Sequence, residues 1–221
     1  MATKQTLELV RGKTSSLAIR WETTPVVSKP ITAISLATGF PRLTVTSHGC
    51  PDGHRGYVTS VQGMKQINAE DPAKPRWNPK NTNYSDYHEA TVIDANTIEF
   101  NGLNPVDGSG RDWPAYTSGG FFKYNTPKSL ANKTIRVKIK DKIGGTVLLS
   151  TEASDAPLNL IMATADDALK AIAVEIAATT TEVLTWDTGV WEVEAEDSVT
   201  AKVEPIIAPS PVTVGDEVVT P

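Results

Sequence analysis

At 221 residues the chain is long enough for one large or two small domains, each able to bury a core. Hydrophobic residues make up 39% and charged residues 21%, a balance that favours a folded, loop-rich protein over a disordered one. A net charge of -5 with no basic stripe argues against nucleic-acid binding, and a single cysteine excludes an internal disulfide.

QTLELV and SSLAIRW are alternating runs split by Arg11-Gly12-Lys13. Leu7 and Leu9 share one face of the first; Leu17, Ile19 and Trp21 share one face of the second. Period-two patterning across a glycine turn predicts a hairpin. TTPVVSKP follows, and its two prolines suit a connector better than a central strand. From Ile31 the texture changes to short β-type runs, ITAISLA, RLTVTS and GYVTSV, separated by Gly and Pro. The polar stretch EDPAKPRWNPKNTNYSDYHE, at about residues 70-90, has neither helical nor strand periodicity. It reads as an exposed loop of a length often tied to contacts. TVIDANTIEF predicts two strands around an Asp-Ala-Asn turn, and AYTSGGFFKY a closing strand bulged or kinked at Gly119-Gly120.

Beyond Pro127, TIRVKIKDKIGGTVLLS predicts a hairpin. Ile135, Val137 and Ile139 alternate with Arg136, Lys138 and Lys140, and Gly144-Gly145 supply positive-φ turn positions. ADDALKAIAVEIAATTTEVL is Ala-rich enough for a helix. Its Ile172, Val174 and Ile176 nevertheless fall at spacing two, which favours a strand followed by a short helical turn under Leu184 and Trp186. GVWEVEAED turns Trp191, Val193 and Ala195 inward and Glu192, Glu194 and Glu196 outward. PIIAPSPVTVGDEVVTP predicts a Pro-broken edge strand, and helical content is expected to be very low. MATKQTLELVRGKTSS lacks the apolar core of a signal peptide, and no window approaches the roughly eighteen apolar residues of a membrane helix. Folding in a cytoplasm, with no membrane partner, is the expectation.

The stretch SHGCPDGH sets Cys50 between His48 and His54, with Asp52 alongside. A metal site would need these residues and the distant His88 to converge, yet their spacing matches no standard zinc pattern and Pro51 stiffens the turn. A thiol nucleophile would need a base and an oxyanion site that nothing else suggests. The stretch therefore reads as a turn, with Cys50 a small hydrophobic anchor and His48 bonding local backbone. Asp94, Asn96 and Asp107 could ligate calcium but sit in ordinary turn positions. No catalytic residue, metal or cofactor is expected. Tyr116, Phe121 and Phe122 read as core. Trp77, Tyr84 and Tyr87 on the long loop, with Glu192, Glu194 and Glu196 on the acidic face, are the candidate interaction residues.

Two resemblances span nearly the whole chain. LELVRGKTSSLAIRW, IRVKIKDKIGGTVLLS and AVEIAATTTEVLTWDTGVWEVEAED together resemble a β-sandwich module of tailed-bacteriophage virion proteins. Arg136 through Gly145 and Leu184 through Glu194 match that module's motifs, whereas Lys13 replaces an acidic residue of its first motif. Val45 to Asn68, Thr97 to Gly102 and Ala115 to Gly120 are similar to a small β-barrel-like module of phage proteins. That module is related to the first catalytic cysteine half-domain of ubiquitin-activating enzymes. His48-Gly49 is its signature, and the Cys50 position usually carries an ordinary apolar residue.

The resemblances imply an all-β architecture. An Ig-like antiparallel β-sandwich of residues 1-30 and 128-221 is interrupted by a β-barrel-like domain of residues 31-127, with seams at Pro30 and Pro127. They imply a non-enzymatic structural component of a virion, a neck or collar protein or a head- or tail-attached fibre anchor. Its partners would be other virion proteins and further copies of itself in a homo-oligomer or multi-copy ring, assembled in a bacterial host. The alternative is a module that recognises host-surface glycans through Trp77, Tyr84 and Tyr87.

Overall fold

A computed structural model describes residues 4–69, 87–105 and 113–216, and the protein is all-β. The chain divides into an outer unit, Met1–Trp21 with Lys128–Pro221, and an inner unit, Glu22–Pro127.

The outer unit holds two sheets. The larger runs β1 (Leu7–Val10), β16 (Val203–Gly215), β15 (Thr188–Asp197), β11 (Lys133–Lys140), β12 (Val147–Ser150). The smaller runs β13 (Ile161–Asp166), β14 (Ala171–Ile176), β2 (Ser15–Arg20). Alternation sets what faces in: β11 buries Ile135, Val137 and Ile139, β15 buries Trp191, Val193 and Ala195, and β14 buries Ile172, Val174 and Ile176. These side chains join Leu7, Leu9, Ile19 and Trp21 in one core between the sheets, as in a sandwich. The short helix α1 (Ala178–Glu182) follows β14, as its sequence predicts.

Five local expectations are corrected, the fifth at Phe121 in the inner unit. β1 and β2 do not form a hairpin: β1 pairs with β16, in parallel, and β2 pairs with β14. The turn at Gly12 (φ 75°) carries the chain from one sheet to the other. Alternation fixes which face is buried but not which strand is the neighbour, so two runs on opposite sheets read like a hairpin.

The connector TTPVVSKP lies within β3 (Glu22–Pro30). β3 is an edge strand, and its register against β10 (Ser118–Pro127) shifts between Val26 and Thr23. By its contacts β3 groups with the inner unit, Glu22–Pro127.

The terminal segment is not an edge strand, since β16 lies between β1 and β15. Pro205, Pro209 and Pro211 fall before Val212, where pairing with β1 begins, so one side of that stretch needs no donors.

At the β11–β12 turn only Gly144 has positive φ (72°). Gly145 is required by contact instead, because a Cβ there would collide with the Asp141 carboxylate. That carboxylate caps the turn by accepting from the Lys142 and Thr146 amides.

The inner unit packs two four-stranded sheets on a second core. One is ordered β3, β10, β6 (Arg55–Gln62), β7 (His88–Glu89). The other is ordered β4 (Ala33–Ser35), β5 (Arg42–Thr44), β9 (Thr97–Glu99), β8 (Thr91–Asp94). Leu43, Val58, Ile98, Phe100 and Phe122 are wholly buried between them. A Cβ at Gly56 would run into the Phe122 ring, so glycine there lets the ring lie across β6. The Gly119-Gly120 distortion of β10 is a kink: both residues have positive φ, yet the register against β6 does not slip. Phe121, expected in the core, is 43% exposed because it takes the opposite face of β10 from Phe122.

Candidate functional site

The turn SHGCPDGH joins β5 to β6. Ser47, Gly49 and Gly53 all have positive φ, so the backbone reverses twice within a few residues. Such a tight path leaves backbone groups without ladder partners, and side chains take their place. The His48 ring is buried; its Nδ1 accepts from the Cys50 amide at 3.0 Å and its Nε2 lies 2.7 Å from the Asp94 carbonyl. An acceptor at Nδ1 requires the proton on Nε2, so this is a neutral imidazole donating to Asp94. The Tyr124 hydroxyl donates to the His48 carbonyl at 2.6 Å. Burial, and secondarily the nearby Cys50, push the Tyr124 phenol up to about 12, so it stays a donor.

The neighbouring polar groups are similarly engaged. Asn96 Oδ1 accepts from the Ser47 amide, Asp94 Oδ1 from the Asn96 amide, and Asp52 Oδ1 from the Val92 amide. Cys50 is buried, with its thiol 3.5 Å from the Pro51 carbonyl. His48, with both ring nitrogens on backbone, works as a brace that ties the β5–β6 turn to the β8–β9 turn. Asp107 lies outside the described residues, and no cluster of three or more His, Cys, Asp or Glu among those described could hold a metal ion.

His54, at the other end of the stretch, is different. It is wholly buried, and its Nδ1 lies 3.1 Å from Glu22 Oε1 without hydrogen-bond alignment. Glu22 Oε2 accepts from Asn125 Nδ2 at 3.0 Å, so this carboxylate links the paired ends of β3 and β10 to the start of β6. Close by, the Tyr57 and Tyr87 rings pack at 4.8 Å with a 59° tilt. Burial is the first cause that raises the Tyr87 pKa, followed by Tyr57 and Glu22. Tyr87 is thus half-buried against a partner ring. Trp77 and Tyr84 lie outside the described residues. The His54–Glu22 approach was not legible in sequence, because the two residues sit 32 positions apart with no shared motif.

The acidic face of β15 meets its basic counterpart within the chain. β11 pairs with β15 so that Arg136 opposes Glu194 and Lys138 opposes Glu192. Lys140 reaches Glu192 at 2.9 Å, Arg136 reaches Glu196 at 3.3 Å, and Lys133 reaches Asp197 at 2.7 Å. Glu152 joins from beyond β12 and binds both Arg136 and Lys138. Its pKa is lowered, first by the hydrogen bond from Lys138 and, against a burial penalty, by that from Arg136. Both alternating charge rows are visible in the sequence; their register comes from strand pairing.

Sequence reasoning gave Arg11 no role beyond its motif. Its guanidinium donates to the Leu184 carbonyl at 2.9 Å and the Trp186 carbonyl at 3.2 Å, and it pairs with Asp187 and Asp216 at 2.6 Å each. One side chain thereby closes the loop before β15 and the end of β16 onto the β1–β2 turn.

The chain matches no family model, and no curated protein matches it.

Proposed function

We propose that the protein is a non-enzymatic structural component of a tailed-bacteriophage virion, a neck or collar protein or an anchor for fibres on head or tail. The observation that carries this reading is the way the motifs quoted from the sequence interlock. Arg11, in the first outer motif, binds the carbonyls of Leu184 and Trp186 in the last, over a separation of more than 170 residues. His48, the signature of the inner motif set, braces the turn before β9, the strand that carries the next motif of that set. Such contacts are what two intact modules require. The chemistry supports a scaffold role as well: the His48 ring nitrogens, the Asp52 and Asp94 carboxylates and the β11–β15 charges are bonded within the chain.

Antibodies raised against the purified protein should decorate intact tailed particles from the same source at the head–tail junction or at fibre attachment points in electron micrographs. Particles that contain no such chain by peptide mass analysis would end this reading. Specific retention on host-surface glycans, lost in Tyr87→Ala, would favour the recognition module instead.

A further inference from the structure

We propose that Asn101 is a self-modification site, where the backbone nitrogen of Gly102 displaces ammonia from the Asn101 side chain and water converts the product to aspartate or isoaspartate. Asparagine is among the thermally labile residues. This route to its loss is an intramolecular attack, so it needs an amide on the next residue that is neither crowded nor held in a hydrogen bond. The sequence supplies the first condition: Asn101-Gly102 is the one Asn-Gly pair in the chain. The structure supplies the second. The Leu103 amide donates to the Phe100 carbonyl at 3.2 Å, which makes Asn101 and Gly102 the central residues of an exposed turn after β9. Closure of the turn uses the Leu103 amide, and among the described residues the Gly102 amide has no hydrogen-bond partner. A Cβ built at Gly102 meets nothing within 4 Å, so the approach to this amide is open.

The other described asparagines lack such an amide. After Asn68, Asn132 and Asn159, the amides of Ala69, Lys133 and Leu160 donate to the carbonyls of Val58, Leu130 and Leu158. Thr97 and Thr126, which follow Asn96 and Asn125, lie in strand ladders. Pro105, after Asn104, has no N–H. The equivalent aspartyl pair, Asp52-Gly53, is blocked as well. The Gly53 amide donates to the Ala90 carbonyl at 3.0 Å, and the Asp52 carboxylate holds the Val92 amide.

The step balances with water alone. Hydroxide takes the proton of the Gly102 amide, and the nitrogen pair forms a bond to Asn101 Cγ. The Cγ–Nδ2 bond breaks, and Nδ2 leaves as ammonia with a proton from water. Hydrolysis at one carbonyl of the five-membered ring gives aspartate; at the other it gives isoaspartate, with the main chain rerouted through the side chain. In the starting turn Asn101 Nδ2 donates to Thr91 Oγ1 at 3.0 Å. A carboxylate at Asn101 can accept from the same hydroxyl, so the tie between this turn and the start of β8 survives while the turn gains a negative charge.

Peptide mass mapping of the whole protein, aged in mildly alkaline buffer, tests this, with circular dichroism to verify folding. The peptide that holds Asn101 is expected to gain one mass unit and to elute as two forms. One form should accept a methyl group from S-adenosylmethionine in the presence of a protein-isoaspartate methyltransferase; the other should co-elute with the Asn101→Asp peptide. Asn101→Gln should lose both signals. Gly102→Ala should slow them with the fold unchanged, because its Cβ enters open space. The wild-type map decides the matter if a variant does not fold. An Asn101 peptide that keeps its mass after ageing would overturn the proposal. So would conversion spread evenly over the other asparagines, or a Gly102→Ala protein that reacts as fast as wild type. The proposal is independent of the virion reading, which particle labelling tests separately.

Discussion

The two units solve the same problem, satisfying polar groups around a β core, by different chemistry. In the larger outer sheet two central strands are long: β15 has ten residues and β16 thirteen. Their ladders satisfy most backbone groups, and the side chains left on the solvent face pair with one another as Lys140–Glu192, Lys133–Asp197 and Arg136–Glu152. In the shorter-stranded sheet of the inner unit β4, β5 and β9 have three residues each. Ladders that short leave turn amides and carbonyls unpaired, so His48, Asp52, Asn96 and Tyr124 bond backbone instead.

The largest expected effects test whether the two cores are separate. Trp191 and Phe122 are each wholly buried, one per core. Truncation of either to alanine should cost about 3–5 kcal/mol in the unit that holds it. Calorimetry should show two transitions, with Trp191→Ala moving one and Phe122→Ala the other. A single transition lowered equally by both would break the comparison.

Next in size is the brace. His48→Ala leaves the Cys50 amide and the Asp94 carbonyl without their ring partner, at a cost of about 2–3 kcal/mol to the inner transition. Because these bonds join neutral groups, the loss measured by urea titration should be the same in low salt and in 1 M salt (roughly a 3 Å screening length).

Acid should then act on the outer unit. Glu152, Asp167, Asp197 and Glu204 all lie there with lowered pKa values, Asp167 down to about 2. The Lys170 ion pair and the Leu130 amide are the main causes for Asp167, and the Lys133 ion pair for Asp197. A carboxylate held down by folding contributes stability above its unfolded value, and that contribution is lost as pH falls through the folded one. The outer transition should therefore drop as pH falls from about 4.5 towards 2. An inner transition that drops first in that range would reverse the assignment.

The smallest effect is a single rung of the ladder. Lys140 and Glu192 are about a quarter exposed, so a double-mutant cycle to alanine should give a coupling below about 1 kcal/mol that vanishes in high salt. A coupling several times larger would mean that the face acts as one network.

How much was legible can be judged residue by residue. The turn reading of SHGCPDGH agrees with the His48 geometry, since glycines and a proline in eight residues leave little but a turn. The rows Arg136, Lys138, Lys140 and Glu192, Glu194, Glu196 were each visible, but their union needed the register of β11 on β15. The closeness of His54 to Glu22 and the clasp of Arg11 on Leu184 join distant positions, and no local pattern encodes such a distance.

By itself the sequence determined the all-β class, the inward faces of β11, β14 and β15, and the strand-then-helical-turn at β14 and α1. All of these follow from side-chain alternation and turn chemistry, which act over a few residues. Only the tertiary structure decided that β1 and β2 belong to different sheets, that β3 is a strand despite its prolines, and that β16 is interior. A strand's alternation records which face is dry, but hydrogen-bond partners are chosen by the whole chain. A proline is excluded only where a neighbour demands its missing N–H, and that neighbour is known only once the sheet is assembled.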